Sequence, residues 1–265
     1  MKIGILGLGV VGSAVYNGFL ELGHDVKFYD PVHDKSKFED VLSSEVCFLC
    51  VPTPPNEEGF CDTSIVEDSI NKLNDANYCG IIAVKSTVMP GTTESLSRRY
   101  PNLEICFVPE FLRERCAVID FIENHDLCVI GTDSEETYEK LKEVHGTYPK
   151  NFKKLSKTEA EVVKYYNNIY NATLITLANS FYELCGELGA SYTEIKNTLV
   201  LRDHINDSYL QCNDNFRGFG GVCLPKDTLA IAKLVEKLDL DVNFFTTILE
   251  ENKKYKVTVY DGMRK

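Results

Sequence analysis

Met1-Lys-Ile-Gly-Ile-Leu-Gly-Leu-Gly-Val-Val-Gly12 opens the chain and decides its fold class. A short apolar run ends in Gly7-x-Gly9-x-x-Gly12, and a helical pattern follows through Phe19 and Leu22. In that order the first glycine permits a tight turn, the second lets backbone approach a pyrophosphate, and the third lets the helix pack closely on its strand. The helix N-terminus is then aimed at phosphate. A second strand, Val26 to Tyr29, ends at Asp30, about 20 residues beyond the glycines, where an acid binds the adenosine ribose of a dinucleotide. Glycines alone would be an ordinary turn. Strand, glycines, helix, strand and acid together predict a dinucleotide site built on Gly7, Gly9, Val10, Val11, Gly12 and Asp30. Asp30 favours NAD over NADP, because a carboxylate repels a 2′-phosphate, and Lys35 and Lys37 temper that preference.

The pattern of strand and crossover repeats. Glu45 to Val51 ends in Pro52-Thr53-Pro54-Pro55, and Gly80 to Lys85 ends in Ser86-Thr87-Val88-Met89-Pro90-Gly91. Ile105 to Val108 ends in Pro109-Glu110-Phe111-Leu112-Arg113-Glu114, and Leu127 to Gly131 is a fourth run. In an open parallel sheet, ligands bind outside the carboxyl ends of the strands, so the four loops are expected to converge on one crevice. Any one of them, rich in Pro, Thr and Gly, would also serve as a plain turn. The expected fold is α/β: a Rossmann-like, doubly wound, mostly parallel sheet over residues 1–155, then a long connecting helix and a small all-helical domain over 156–265.

Ser156-x-x-Glu159 and Thr158-x-x-Glu161 both read as capping boxes, opening a helix with no interior Gly or Pro until Gly186 or Gly189. Ala160, Lys164, Asn168, Asn171 and Ile175 share one face of it. That face is either solvated or a polar wall on which Lys164 and Asn168, one turn apart, oppose an oxyanion. A second helical stretch, Tyr192 to Leu201, leads through a polar segment to Phe219-Gly-Gly-Val-Cys-Leu-Pro-Lys-Asp227, and another helix is expected from Asp227 to Leu238. Gly218, Gly220 and Gly221 let backbone approach a ligand, and Pro225 restricts the residue before it, so Cys223 is read on a tight bend. Lys226 is a cation that favours thiolate, and Asp227 is a carboxylate able to hold a water. The bland alternative is a glycine-rich turn that contains a cysteine.

The formal net charge of -12 disfavours nucleic acid and anionic membranes as partners; an anionic small molecule needs local cations, and Lys164 and Lys226 are the candidates. No apolar run is long enough to span a bilayer and no basic leader precedes one, so a cytoplasmic protein is expected. The 10 cysteines are then expected as thiols, not disulfides. Cys47-Phe-Leu-Cys50 has metal-ligand spacing but lies in an apolar strand, where cysteine packs as a small hydrophobe, and no metal site is expected. Asn171-Ala-Thr173 and Asn206-Asp-Ser208 match a glycosylation acceptor, which has no meaning in a cytoplasmic chain.

These residues together resemble the UDP-glucose/GDP-mannose dehydrogenase family. The matching pieces are Gly7 to Gly12, Val51-Pro-Thr-Pro54, Ser86-Thr-Val88 with Gly91-Thr-Thr93, Pro109-Glu-Phe-Leu-Arg-Glu114, Ala160-Glu161 with Lys164 and Asn168, and Gly218 to Asp227. The resemblance implies an NAD-dependent, four-electron oxidation of UDP-glucose to UDP-glucuronate, or of GDP-mannose or UDP-N-acetyl-mannosamine, by a homodimer paired through the central helix. A catalytically idle dinucleotide-binding subunit is the alternative from another class. By resemblance, Asp227 with Lys164 takes the first proton, and Cys223 forms a thiohemiacetal and then a thioester. Lys164 and Asn168 oppose the oxyanion, while Glu110 activates water with Thr87 and Glu114 nearby. Pro52, Thr53, Thr87, Glu114, Lys35 and Lys226 are implied at the cofactor, and Glu110, Phe111, Leu112, Arg113, Phe219 and Gly220 at the substrate.

The family continues into a second Rossmann-like domain that holds the uridine diphosphate, and a shortened form lacking it is expected here. Asp203-His-Ile-Asn206 stands where the family has an arginine that reaches the partner subunit's substrate; Arg202 and Arg217 are its candidate replacements. Met89-Pro90 departs from the family's usual pair without consequence for the chemistry.

Overall fold

The computed structural model describes residues 1–33 and 36–257. It divides into two compact units, one of Met1–Pro54 with Cys61–Lys164, the other of Pro55–Phe60 with Tyr165–Lys265. The first is a seven-stranded sheet with helices on both faces. Its strands are β1 (Lys2–Leu6), β2 (Asp25–Tyr29), β3 (Val46–Leu49), β4 (Ile81–Val84), β5 (Glu104–Phe107), β6 (Leu127–Gly131) and β7 (Asn151–Leu155), in the order β2-β1-β3-β4-β5-β6-β7. The order runs outward from β1 on both sides, placing a crevice at the carboxyl ends of β1 and β3, where the winding reverses.

Alternation along the strands builds two cores. Ile3, Ile5, Val46, Phe48, Ala83 and Cys106 bury one face against α1 (Val10–Glu21), α4 (Ala117–Ile122) and α5 (Glu135–His145). Cys47, Leu49, Ile82, Val84, Ile105 and Phe107 bury the other against α2 (Ser64–Asp75) and α3 (Thr92–Arg99). Both faces are covered, so the strands read as nearly continuous apolar runs.

Two features of the sheet depart from expectation. β6 pairs antiparallel with β5, so the chain leaves it in the direction opposite to that of β1 through β5. The fourth loop, Thr132-Asp133-Ser134, therefore does not join the others at the crevice. The connection between β5 and β6, residues 108–126, holds a 3-10 turn at Glu114–Cys116 and six-residue α4, ~9 Å long. β7, which pairs parallel with β6, was not anticipated, because its half-polar Asn-Phe-Lys-Lys-Leu lies at the sheet edge.

The long helix α6 (Lys157–Glu187) runs from the first unit into the second. Ser156 and Glu159 form the capping box: Glu159 N donates to Ser156 Oγ at 3.3 Å, and Ser156 N donates to Glu159 Oε2 at 2.8 Å. Glu161 is used elsewhere. Its buried carboxylate accepts from Gly91 N at 2.5 Å and Thr93 N at 2.8 Å, capping α3, which has no side-chain cap of its own. The second unit adds α7 (Tyr192–Leu199), whose Tyr192 joins Ala178, Cys185 and Cys212 in a small core, and α8 (Cys223–Lys237) and α9 (Phe244–Asn252), which pack against each other. α8 begins four residues before the expected Asp227. Pro225 is the reason this costs little, since a missing N–H in the first helical turn removes no intrahelical bond.

Candidate functional site

In the sheet unit the glycine turn has the geometry of a phosphate cradle. Gly7 has φ +88°, and a Cβ there would stand 2.7 Å from Cys50 O. At Gly12 a Cβ would stand 1.9 Å from Gly7 O, so only glycine lets α1 approach this closely. Gly9 is different: no atom lies within 4 Å of the position of its Cβ, and it caps α1 without a side-chain hydrogen bond. No acidic residue occupies the first turn of α1. Unshielded N–H groups and open space above the second glycine are what a pyrophosphate requires. Val10 is exposed and Val11 half-buried beside it. Asp30 is held at the turn, its carboxylate accepting from Leu8 N at 2.6 Å and Val32 N at 2.9 Å. These residues fit a dinucleotide. Lys35 lies outside the described residues.

Three loops leave the carboxyl ends of β3, β4 and β5. Pro52 is exposed, and Thr53 and Thr87 are half-buried. Glu110 is held by two elements: Lys164 Nζ donates to its Oε1 at 3.0 Å and to its backbone O at 2.7 Å, while Leu112 N donates to Oε2 at 2.8 Å. The Lys164 ammonium also lies 5.8 Å from the centre of the Phe111 ring. Lys164 is 4% exposed, which excludes the solvated reading of its helix face. Arg113 lies further out. It is half-exposed and forms a forked ion pair with Asp120, Nε to Oδ2 at 2.9 Å and NH2 to Oδ1 at 2.6 Å, which holds the Asp120 carboxyl well below the usual range. Glu114 is exposed at the start of a short 3-10 turn.

In the helical unit Cys223 is the exposed first residue of α8, and Asp227 follows one turn later on the same face, 1% exposed. Asn168 Nδ2 donates to Asp227 Oδ2 at 2.6 Å, and Lys226 Nζ donates to Asp227 Oδ1 at 2.7 Å. The acid one turn behind the thiol thus has one oxygen on an amide and the other on an ammonium. Lys226, expected beside the thiol, is directed at Asp227. Sequence reading missed the clamp on the loop before Cys223. Asn252 accepts from Phe219 N at 2.7 Å and donates to Phe219 O at 2.8 Å, and Asn179 accepts from Gly218 N at 3.1 Å. Phe219 is buried, Gly220 half-buried, and Gly218 and Gly221 take positive φ. Asparagines inside helices are the only sequence signal for this clamp, and they carry no address for their partners.

Of the candidate arginines, Arg202 is exposed, as is His204. Arg217 is engaged within the helical unit, paired with Glu183 and Asn179 and stacked 4.7 Å from Tyr182 and 5.3 Å from Tyr255.

Residues 33–148 match the model of the UDP-glucose/GDP-mannose dehydrogenase family NAD binding domain, and residues 158–254 match that family's central domain. The chain belongs to this family. The glycine turn precedes the matched residues and rests on its own geometry. The chain is 30% identical to UDP-glucose 6-dehydrogenase AglM of Haloferax volcanii, over 87% of this chain and 64% of that protein. It is 29% identical to UDP-glucose 6-dehydrogenase of Rickettsia prowazekii, over 96% of this chain and 67% of that one. Among solved structures it resembles a UDP-glucose dehydrogenase from Pyrobaculum islandicum, with TM-score 0.85 and 29% identity over 96% of this chain and 68% of that chain. The chain thus spans about two thirds of the length of these relatives. Among the described residues no helix is long and apolar enough to cross a membrane, and no disulfide joins the cysteines.

Proposed function

We propose that the chain carries out an NAD-dependent, four-electron oxidation of UDP-glucose to UDP-glucuronate through a covalent bond to Cys223. The observation that carries the reading is an exposed thiol opening α8, with a buried carboxylate one turn behind it that is fixed by Asn168 and Lys226. A helix N-terminus favours thiolate over thiol. The names of the similar dehydrogenases support the choice of sugar nucleotide. NAD, when bound at the glycine turn, supplies the hydride acceptor.

The sugar's C6 alcohol gives its proton to the Asp227 carboxylate, or to water held there, as hydride leaves its carbon, producing an aldehyde. The Cys223 sulfur adds to that carbon and the oxygen takes a proton, giving a thiohemiacetal. With a second NAD as hydride acceptor and the hydroxyl proton passing to the Asp227 carboxylate or its water, the thiohemiacetal would become a thioester, and water then breaks the C–S bond, releasing carboxylate and restoring the thiol. Lys164 and the second N–H of the Asn168 amide are the donors proposed for the oxyanion. Glu110 is proposed to orient the attacking water, because its two oxygens each hold one donor and keep a lone pair besides. Thr87, Thr53 and Pro52 are proposed at the cofactor.

The test is product stoichiometry. Wild-type protein should form two NADH per UDP-glucose, and Cys223→Ser should stop the second oxidation. Two NADH per sugar at the full rate from the serine variant would end the covalent proposal. A panel including GDP-mannose and UDP-N-acetyl-mannosamine ranks the sugars.

The second unit supports a homodimer. Tyr166, Tyr170, Leu177, Phe181 and Leu184 form one stripe of α6 and are 48–73% exposed. At 1.5 Å per residue the stripe is ~27 Å long. Leu184→Glu should convert a dimer to a monomer in sedimentation, and a wild-type monomer at micromolar concentration would refute the pairing.

A further inference from the structure

The end of β4 fastens both of its neighbours by side chains. Lys85 and Ser86 follow the last residue of the strand and are buried, at 4% and 7% exposure. Ser86 Oγ lies 2.7 Å from Val51 O and 3.2 Å from Leu49 O, reaching across to the end of β3. On the opposite flank, Lys85 Nζ donates to Val108 O at 3.2 Å, beyond the end of β5. The two carbonyls share one feature: Val51 and Val108 each precede a proline, Pro52 and Pro109. Proline has no N–H to continue the ladder, so backbone pairing stops there. The last backbone bonds are Lys85 N and Ser86 N to Leu49 O, at 2.9 and 3.1 Å, and Val108 N to Val84 O at 2.8 Å.

We propose that Lys85 and Ser86 are positioning residues for the two proline-initiated loops, Ser86 setting the Pro52-Thr53 loop and Lys85 setting the Pro109-Glu110 loop. The chemistry favours separate roles. A hydroxyl on Val51 O fixes the point from which the Pro52-Thr53 segment departs, one residue before the pair assigned to the cofactor. The lysine fixes Val108 O, two residues before the carboxylate that Lys164 grips. Burial without a carboxylate partner in its hydrogen bonding also lowers the Lys85 proton affinity, chiefly by desolvation, which is an expensive arrangement for a residue that merely fills space. Ser86 and Lys85 thus divide between cofactor binding and the hydrolytic loop, an assignment that rests on the function proposed above.

The experiment pairs Ser86→Ala with Lys85→Met in the full chain. It reads NADH Kd by fluorescence titration, steady-state kcat and KM, and amide exchange in peptides covering residues 49–56 and 107–113. S86A should raise the NADH Kd about three- to tenfold and accelerate exchange in 49–56 only, with Ser86→Thr, which keeps the hydroxyl, restoring both. K85M should leave the NADH Kd within about twofold, accelerate exchange in 107–113 and lower kcat about tenfold or more. Lys85→Leu, which also lacks the donor, replaces K85M if the latter does not fold. An unchanged NADH Kd in S86A overturns the proposal. So does equal loosening of both segments by either variant, since that would make the pair simple core. Failure of wild type to oxidise UDP-glucose would instead reject the substrate reading, and the exchange pattern would still judge the positioning.

Discussion

Two glycines of the same turn should fail in opposite ways when each is changed to alanine. At Gly12 the added Cβ would lie 1.9 Å from Gly7 O, and reaching ordinary contact at 3.4 Å means moving backbone by about 1.5 Å. Neither side yields easily: Gly7 N donates to Tyr29 O at 2.9 Å, and Ala14, Val15 and Phe19 of α1 are completely buried. Overpacking of this kind costs ~3 kcal/mol, or roughly 10 °C in the melting of the sheet unit. Gly9→Ala meets no atom, and Gly9 already has φ -70°. Its costs and gains nearly cancel, since alanine is a slightly poorer N-cap but restricts the unfolded chain, leaving stability within ~1 kcal/mol. The methyl would occupy the space assigned to phosphate and break one or more charge-assisted hydrogen bonds of ~1.5–3 kcal/mol each, so NADH Kd should rise at least tenfold. Thermal unfolding and NADH titration of both variants decide the matter. If G9A binds NADH within twofold of wild type, the glycine turn is not the cradle; if G12A melts normally, the close approach of α1 is not needed.

Glu161→Ala removes the acceptor for two backbone N–H groups in the interior, so it should destabilise the sheet unit by ~2–5 kcal/mol in urea unfolding. Burial raises the Glu161 carboxyl above its usual range, so Glu161→Gln should cost less than alanine; an alanine variant as stable as wild type would show that the cap is idle. Burial lowers His125 to about 4 and puts His145 well below its ordinary value. A base with a depressed folded pKa contributes stability that is present above the unfolded value near 6.5 and lost as pH falls through the folded one, because the unfolded chain takes up the proton first. Urea stability should therefore fall between pH 7 and pH 5, and His125→Phe should flatten that fall; a slope unchanged by the substitution would exclude His125 as a contributor.

The architecture around the first strand was open to sequence reading because its causes are local. Gly7, Gly9 and Gly12 are spaced by the needs of one turn, Asp30 ends the next strand, and Ser156 finds Glu159 within a single helical turn. An unbroken apolar run from Val46 to Leu49 announces a strand buried on both faces whatever lies beside it. Chemistry at Cys223, Lys164, Glu110 and Asp227 could be nominated from residue type and family resemblance, since a thiol, an ammonium and two carboxylates have few other uses in such company.

Tertiary structure decided the pairings. Asp227 meets Asn168 across 59 positions, Lys164 meets Glu110 across 54 and Glu161 meets Gly91 across 70, separations over which periodicity says nothing. The antiparallel direction of β6 against β5 appeared only in the folded sheet. Which of two overlapping capping boxes was used depended on a competing demand from α3, whose N–H groups needed a buried acceptor more than Thr158 did. Local geometry is written in adjacent residues; the partner of a buried polar group is set by which distant backbone arrives beside it.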